Sequence, residues 1–126
     1  MSSDATECPR PRESLKVLFD HELTNAPGKS IIGVEVAYPP NGFTPPHRHA
    51  GATVVALVQD GQLLSGMNGN PPKVYLPGES FVELPGCHHT VGENNSKEES
   101  AKFMAIFVVD TSVVKTQGYA GLTVFD

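Results

Sequence analysis

A chain of 126 residues is long enough for one hydrophobic core and too short for separate cofactor and substrate domains. It holds 12 glycines and 11 prolines, about 18% of the chain against a usual ~12%, which disfavours a helical bundle and favours short strands joined by turns. The net charge is −5 and the only arginines are Arg10, Arg12 and Arg48, so no basic stripe is available for a phosphate backbone. The longest apolar run, 103–109, is far below the ~20 residues that span a bilayer.

In chain order, residues 1–14 are polar, contain Pro9 and Pro11 and have no periodic apolar pattern, which predicts a flexible arm. From Leu15 onward, β-prone segments alternate with turn residues, predicting strands over 15–19, 30–38, 47–49, 53–60, 62–67, 73–76, 80–84, 88–92 and 101–110. The breaks include Pro39-Pro40-Asn41-Gly42, Asn68-Gly69-Asn70-Pro71, Pro77-Gly78 and Pro85-Gly86. Asp60-Gly61, between two apolar segments, predicts a type I′ hairpin. Residues 93–102 read as a solvated connection. Residues 111–126 carry Tyr119, Leu122, Val124 and Phe125, and are expected to dock on the barrel or on a second subunit. No 3.6-residue apolar stripe is sustained, so the fold class is all-β, with 15–110 forming a sandwich or barrel whose closure hides its strand edges.

His47 and His49 are one residue apart, so on a strand both side chains face one side while Arg48 faces the other. Two such imidazoles can take adjacent positions on a metal ion, at roughly 2.0–2.1 Å each for zinc. A third can come from the His88-His89 pair just past the Pro85-Gly86 turn, leaving open positions for water, dioxygen or substrate.

Around these histidines the sequence resembles the two motifs of the cupin family. Residues 42–61, GFTPPHRHAGATVVALVQDG, resemble the first motif, in which a glycine precedes His-x-His and another closes the turn. Residues 78–94, GESFVELPGCHHTVGEN, resemble the second, with its glycine, Pro-Gly turn, histidine and trailing asparagine. The resemblance implies a small single-domain cupin, a jelly roll or β-barrel of two antiparallel sheets, with one divalent metal in its mouth. It implies His47 and His49 as metal ligands and leaves His88 or His89 as the third; a Pro-Gly-x-x-His reading and the distance to Asn94 select His89. The glutamate that the first motif places four residues after its second histidine is Thr53 here, so three histidines and no carboxylate carry over. Three neutral imidazoles leave a divalent ion its full charge, which makes it a stronger Lewis acid and attracts an anionic chelating substrate such as an enolate.

The expected function is therefore a metal-dependent enzyme acting on a small enol or dicarbonyl metabolite, foremost an iron(II)-type dioxygenase. A non-redox isomerase, cyclase or lyase and a binding module without catalysis are the alternatives, and zinc, nickel or manganese are alternatives to iron. Glu83, in an otherwise apolar segment, reads as a general base of raised pKa or as a solvated strand-end residue. Tyr38, Thr53, Gln62, Met67, Cys87 and Phe107 are candidate pocket residues by strand position. Two cysteines, Cys8 and Cys87, make no disulfide framework, and residues 1–14 lack an apolar signal region, so a cytoplasmic setting is expected. The expected partners are a small-molecule substrate and a second copy of the chain, with no nucleic acid and no membrane.

Overall fold

The structure is a computed structural model and describes residues 10–126. Eleven strands are present among them: β1 (Ser14–Glu22), β2 (Lys29–Tyr38), β3 (Phe43–Thr44), β4 (His47–Arg48), β5 (Thr53–Asp60), β6 (Leu63–Met67), β7 (Lys73–Tyr75), β8 (Ser80–Glu83), β9 (His89–Asn94), β10 (Ala101–Asp110) and β11 (Val124–Phe125). A short helix α1 (Thr111–Gln117) and a 3-10 turn (Tyr119–Leu122) lie between β10 and β11. The strands form two antiparallel sheets, ordered β1-β2-β10-β5-β8 and β11-β4-β9-β6-β7, with β3 added on β9. No helix among the described residues is long and apolar enough to cross a membrane.

Alternation builds the core. Ile32, Val34, Val36 and Tyr38 of β2, Val54, Ala56 and Val58 of β5, and Ala105, Phe107 and Val109 of β10 are all buried, each two residues from the next on its strand. Strand side chains alternate between faces, so these form one inward layer of the five-stranded sheet.

The Asp60-Gly61 turn differs from its expectation. β5 bonds to β10 and β8, whereas β6 bonds to β9 and β7, so at Gly61 the chain leaves one sheet and enters the other. No hairpin forms there. The consecutive left-handed residues that a type I′ turn requires are instead Asn68 (φ 55°) and Gly69 (φ 77°), where the Asn70 N–H donates to the Met67 carbonyl at 2.9 Å. Gly61 (φ 74°) is needed at the crossing for a second reason. A Cβ there would lie 2.5 Å from the Ser100 carbonyl oxygen and 2.8 Å from the Ala101 Cα, both backbone atoms at the start of β10.

Of the expected arm, residues 1–9 lie outside the described residues, while 10–14 pack on the barrel. Arg10 donates to the Asn41 and Gly42 carbonyls at 3.0 and 3.3 Å and pairs with Glu93 at 3.3 Å. Arg12 bridges to Phe43, and Ser14 already belongs to β1. At the other end the C-terminal segment docks on its own barrel: Leu122 is buried in the core, and β11 pairs with β4, placing Val124 opposite Arg48 and Phe125 opposite His47.

Substituting Gly61→Ala should lower the thermal midpoint more than Gly69→Ala. Both carry the left-handed penalty of roughly 1–2 kcal/mol, but a Cβ at Gly69 meets nothing within 4 Å. The Gly61 change should cost a further ~5 °C or so in a scanning calorimeter; equal midpoints would mean that Ser100 and Ala101 are not held against this glycine.

Candidate metal centre

His47 and His89 face each other as a cross-strand pair between β4 and β9, with ring centroids 4.9 Å apart. His49 follows two residues after His47, its ring 4.6 Å from that of His47. The fourth member is Glu83, on β8, directly opposite Val54 of β5. One donor atom from each of His47, His49, Glu83 and His89 lies within 4.8 Å of all the others. His47, Glu83 and His89 are buried, and the His49 side chain is only 10% exposed.

The hydrogen bonds on the outer side of each ring fix what the inner side can offer. His47 Nδ1 lies 2.7 Å from the Pro45 carbonyl and His49 Nδ1 lies 2.8 Å from the Leu122 carbonyl. A carbonyl only accepts, so both Nδ1 atoms must carry the proton, and in a neutral ring Nε2 is then a bare lone pair. Those two Nε2 atoms face each other at 3.1 Å. His89 Nε2 bonds Ser65 Oγ at 2.9 Å, which turns His89 Nδ1 toward Glu83 Oε1 at 3.3 Å; the same Oε1 is 3.3 Å from His49 Nε2. His89 Nδ1 and Glu83 Oε1 are buried without a hydrogen-bond partner.

Lone pairs aimed at lone pairs in a buried space are repulsive unless a proton or a metal cation lies among them. Separations of 3.1–3.3 Å also match the edges of a coordination shell with bonds of about 2.1 Å. The donor set of three imidazoles and one carboxylate therefore fits a divalent metal ion. Outer hydrogen bonds of this kind orient metal-binding histidines generally.

Electrostatics agree. Burial lowers the pKa of His89 to about 4, against a smaller raising effect from Glu83, and burial likewise lowers that of His47. Burial pushes the Glu83 carboxyl up, but the close approach of His49, at 3.3 Å, and of His89 and His47 more than offsets it, and the net shift is downward. At neutral pH, His47 and His89 are thus uncharged and Glu83 is an anion.

Beside the centre lies a cavity of about 180 Å³, walled mainly by β1, β2, β10 and the 3-10 turn. Tyr38 lines it with its hydroxyl 2.6 Å from Thr44 Oγ1 and donating to the Gly92 carbonyl at 3.2 Å; burial raises its pKa. Phe107 lines it with its ring 5.2 Å from that of His49.

Residues 34–107 match the cupin domain family. The chain belongs to the cupins. A germin-like protein 8-5 from Oryza sativa subsp. japonica is 31% identical over 114 residues, covering 81% of this cupin and 51% of its own length. Oxalate oxidase 1 from Hordeum vulgare is 36% identical over 78 residues, covering 54% and 39% respectively. The cupin spans about half the length, or less, of the relatives it matches. Among solved structures, a cupin domain from Bordetella pertussis superposes with a TM-score of 0.63 at 25% identity, covering 82% of this chain and 99% of that one.

Several residue-level expectations change in the cupin. Glu83 is neither a solvated strand-end residue nor a base of raised pKa; it is buried, with a lowered pKa, among the three histidines. The centre accordingly has a carboxylate, and the charge argument from three imidazoles alone does not hold. Of the adjacent histidines, His89 points inward, while His88 Nε2 bonds the Asp126 carboxylate at 3.0 Å. Thr53 does not line the cavity, because the tight turn after His49 places Ala50 (φ 52°) and Gly51 (φ 78°) in the left-handed region and resets the strand parity, so Val54 faces in. Gln62 is exposed and bonds Asn95 at 3.0 Å, and Met67 and Cys87 line a separate surface recess with Asn68 and Val82. Burial raises the Cys87 pKa. Missing from the sequence reading are Glu13, Leu15 and Val17 from the N-terminal side and Tyr119, Ala120, Leu122 and Thr123 from the C-terminal segment, all lining the cavity.

The depressed histidine values set a pH dependence for metal-free protein. As pH falls below 6.5 the unfolded chain takes up protons before folded His89 does, so stability is constant above that pH and falls toward pH 4. The loss should reach ~3 kcal/mol in denaturant titrations of chelator-treated protein, and His89→Gln should flatten the slope. An unchanged slope would show that His89 is not buried in its neutral form.

Proposed function

We propose that this cupin is a metal-dependent enzyme acting on a small enol or dicarbonyl metabolite, foremost an iron(II)-type dioxygenase. The observation that carries the reading is the convergence of three imidazoles and one carboxylate beside a cavity. The similarity to an oxalate oxidase supports a small oxygenated acid or enol as the class of substrate. A divalent ion held by His47, His49, Glu83 and His89 would supply Lewis acidity toward a chelating enolate and, as iron(II), access to dioxygen.

The chain's own groups have distinct tasks in this reading. The Pro45 and Leu122 carbonyls hold the His47 and His49 tautomers, and Ser65 holds His89. Glu83 contributes one negative charge, reducing a divalent centre to a single net positive charge, so the site still favours an anionic ligand. The aliphatic walls keep bulk water from the bound molecule. Tyr38 keeps its proton and stays bonded to Thr44 and Gly92. The proposal also includes a homodimer, supported by the outer row formed by Ile106, Val55 and Val82 on three adjacent strands, with Val55 39% and Val82 51% exposed. It includes a cytosolic setting, supported by the Cys87 thiol, which is unpaired among the described residues.

Protein purified without added metal should carry about one iron per chain. His49→Ala should retain less than a tenth of it, and oxygen electrode traces with a panel of dicarbonyls and enols should reveal uptake by the iron-loaded protein. Bound iron with no uptake across the panel would overturn the dioxygenase reading, and full metal retention by His49→Ala would overturn the ligand assignment.

A further inference from the structure

Resting on the reading of the four-residue centre as a metal site, we propose that its ligand is a single-ring-sized chelator. It presents two adjacent oxygen donors, brings at most one negative charge, and is hydrocarbon in the rest of its structure. Size comes first. A cavity of about 180 Å³ adjoins the donors, and an apolar cavity of roughly 150 Å³ holds a benzene ring. One ring with short substituents fits, whereas an oligosaccharide or a nucleotide does not.

Charge comes second. Among the described residues, no lysine or arginine lines the cavity. The only charged lining residue among them outside the centre is Glu13, whose carboxylate is already forked by Arg12 at 3.0 and 3.4 Å. The Tyr38 and Thr44 hydroxyls bond each other at 2.6 Å. The Tyr119 hydroxyl donates to Asp20 at 2.8 Å, so a second carboxylate on the ligand would meet no cation and at most the Thr123 hydroxyl, and a buried anion so poorly partnered is strongly disfavoured. With Glu83 present, a divalent ion retains one positive charge, which a monoanionic chelate neutralises and a dianion over-compensates.

Surface comes third. Leu15 and Val17 line the cavity from β1 and are 61% and 38% exposed. They offer apolar area at the lip that a hydrocarbon ligand covers and a small dicarboxylate leaves wet. The pocket therefore selects against oxalate-like dianions by what its walls lack.

The test uses cobalt(II)-loaded protein, read by its visible d–d bands and by calorimetry, with maltol, which chelates as a monoanion once its enol proton leaves, as the single-ring chelator and oxalate as the dianion. The ratio of maltol to oxalate affinity should exceed by at least tenfold the same ratio for free cobalt(II) in the same buffer. Leu15→Arg, at an exposed lip position, should move the ratio back toward oxalate by threefold or more, and Ala120→Arg, from the C-terminal side of the cavity, serves as the second variant. A wild-type ratio equal to or below that of the free ion, or no response to either arginine, would overturn the ligand class. Cobalt uptake is measured before any chelator is added: protein that takes up no cobalt refutes the metal reading and this inference together, while protein that holds cobalt and prefers oxalate refutes the inference alone.

Discussion

Two imidazoles whose outer nitrogens donate to backbone carbonyls have, when uncharged, only lone pairs left to show each other, and here those inner nitrogens are 3.1 Å apart. Much of the barrel mouth is arranged to keep them so. Pro45 precedes His47 by two residues and supplies one carbonyl from its own chain segment, while Leu122 supplies the other from 73 residues away. The C-terminal segment is thereby part of the centre: its 3-10 turn anchors His49, and Phe125 stacks its edge against His47 at 5.9 Å. Packing, tautomer and donor geometry are one constraint, because loosening the Leu122 carbonyl would free the His49 ring to turn.

The carboxylate illustrates how a sheet can supply the same group from a different strand. The first cupin motif places its glutamate shortly after His-x-His, and the inward residue there is Val54. Glu83 is the direct partner of Val54 across β5 and β8. Side chains of such a pair stand about 5 Å apart on one face, so the carboxylate enters the same space from the neighbouring strand. The consequence is electrical as much as structural: Glu83 brings a negative charge into the centre before any metal or ligand arrives, and burial keeps His47 and His89 neutral beside it.

Much of this was legible in the sequence, and the rest failed for physical reasons. Period-two alternation and turn residues located nine strand segments, and His47, His49 and His89 followed from the one-residue spacing and the Pro85-Gly86 turn. A single acidic residue at a strand end has no local signature of burial; only the pairing of β8 with β5 turns Glu83 inward. Strand position alone suggests Gln62, Met67 and Cys87 for the pocket, whereas the chain changes sheet at Gly61 and the latter two line the recess at the Asn68 turn. Thr53 fell to the parity change at Ala50 and Gly51. The wall formed by Leu15, Val17 and the Tyr119–Leu122 turn joins the two ends of the chain, a contact that no local pattern encodes.

The most direct test of the central claim, that Glu83 completes a four-donor centre, is anomalous diffraction at the metal absorption edge from crystals of metal-loaded protein. A single peak within coordinating distance of His47 Nε2, His49 Nε2, His89 Nδ1 and Glu83 Oε1 is the predicted result. A peak held by the three histidines with the Glu83 carboxylate turned away, or a peak elsewhere in the chain, would contradict it.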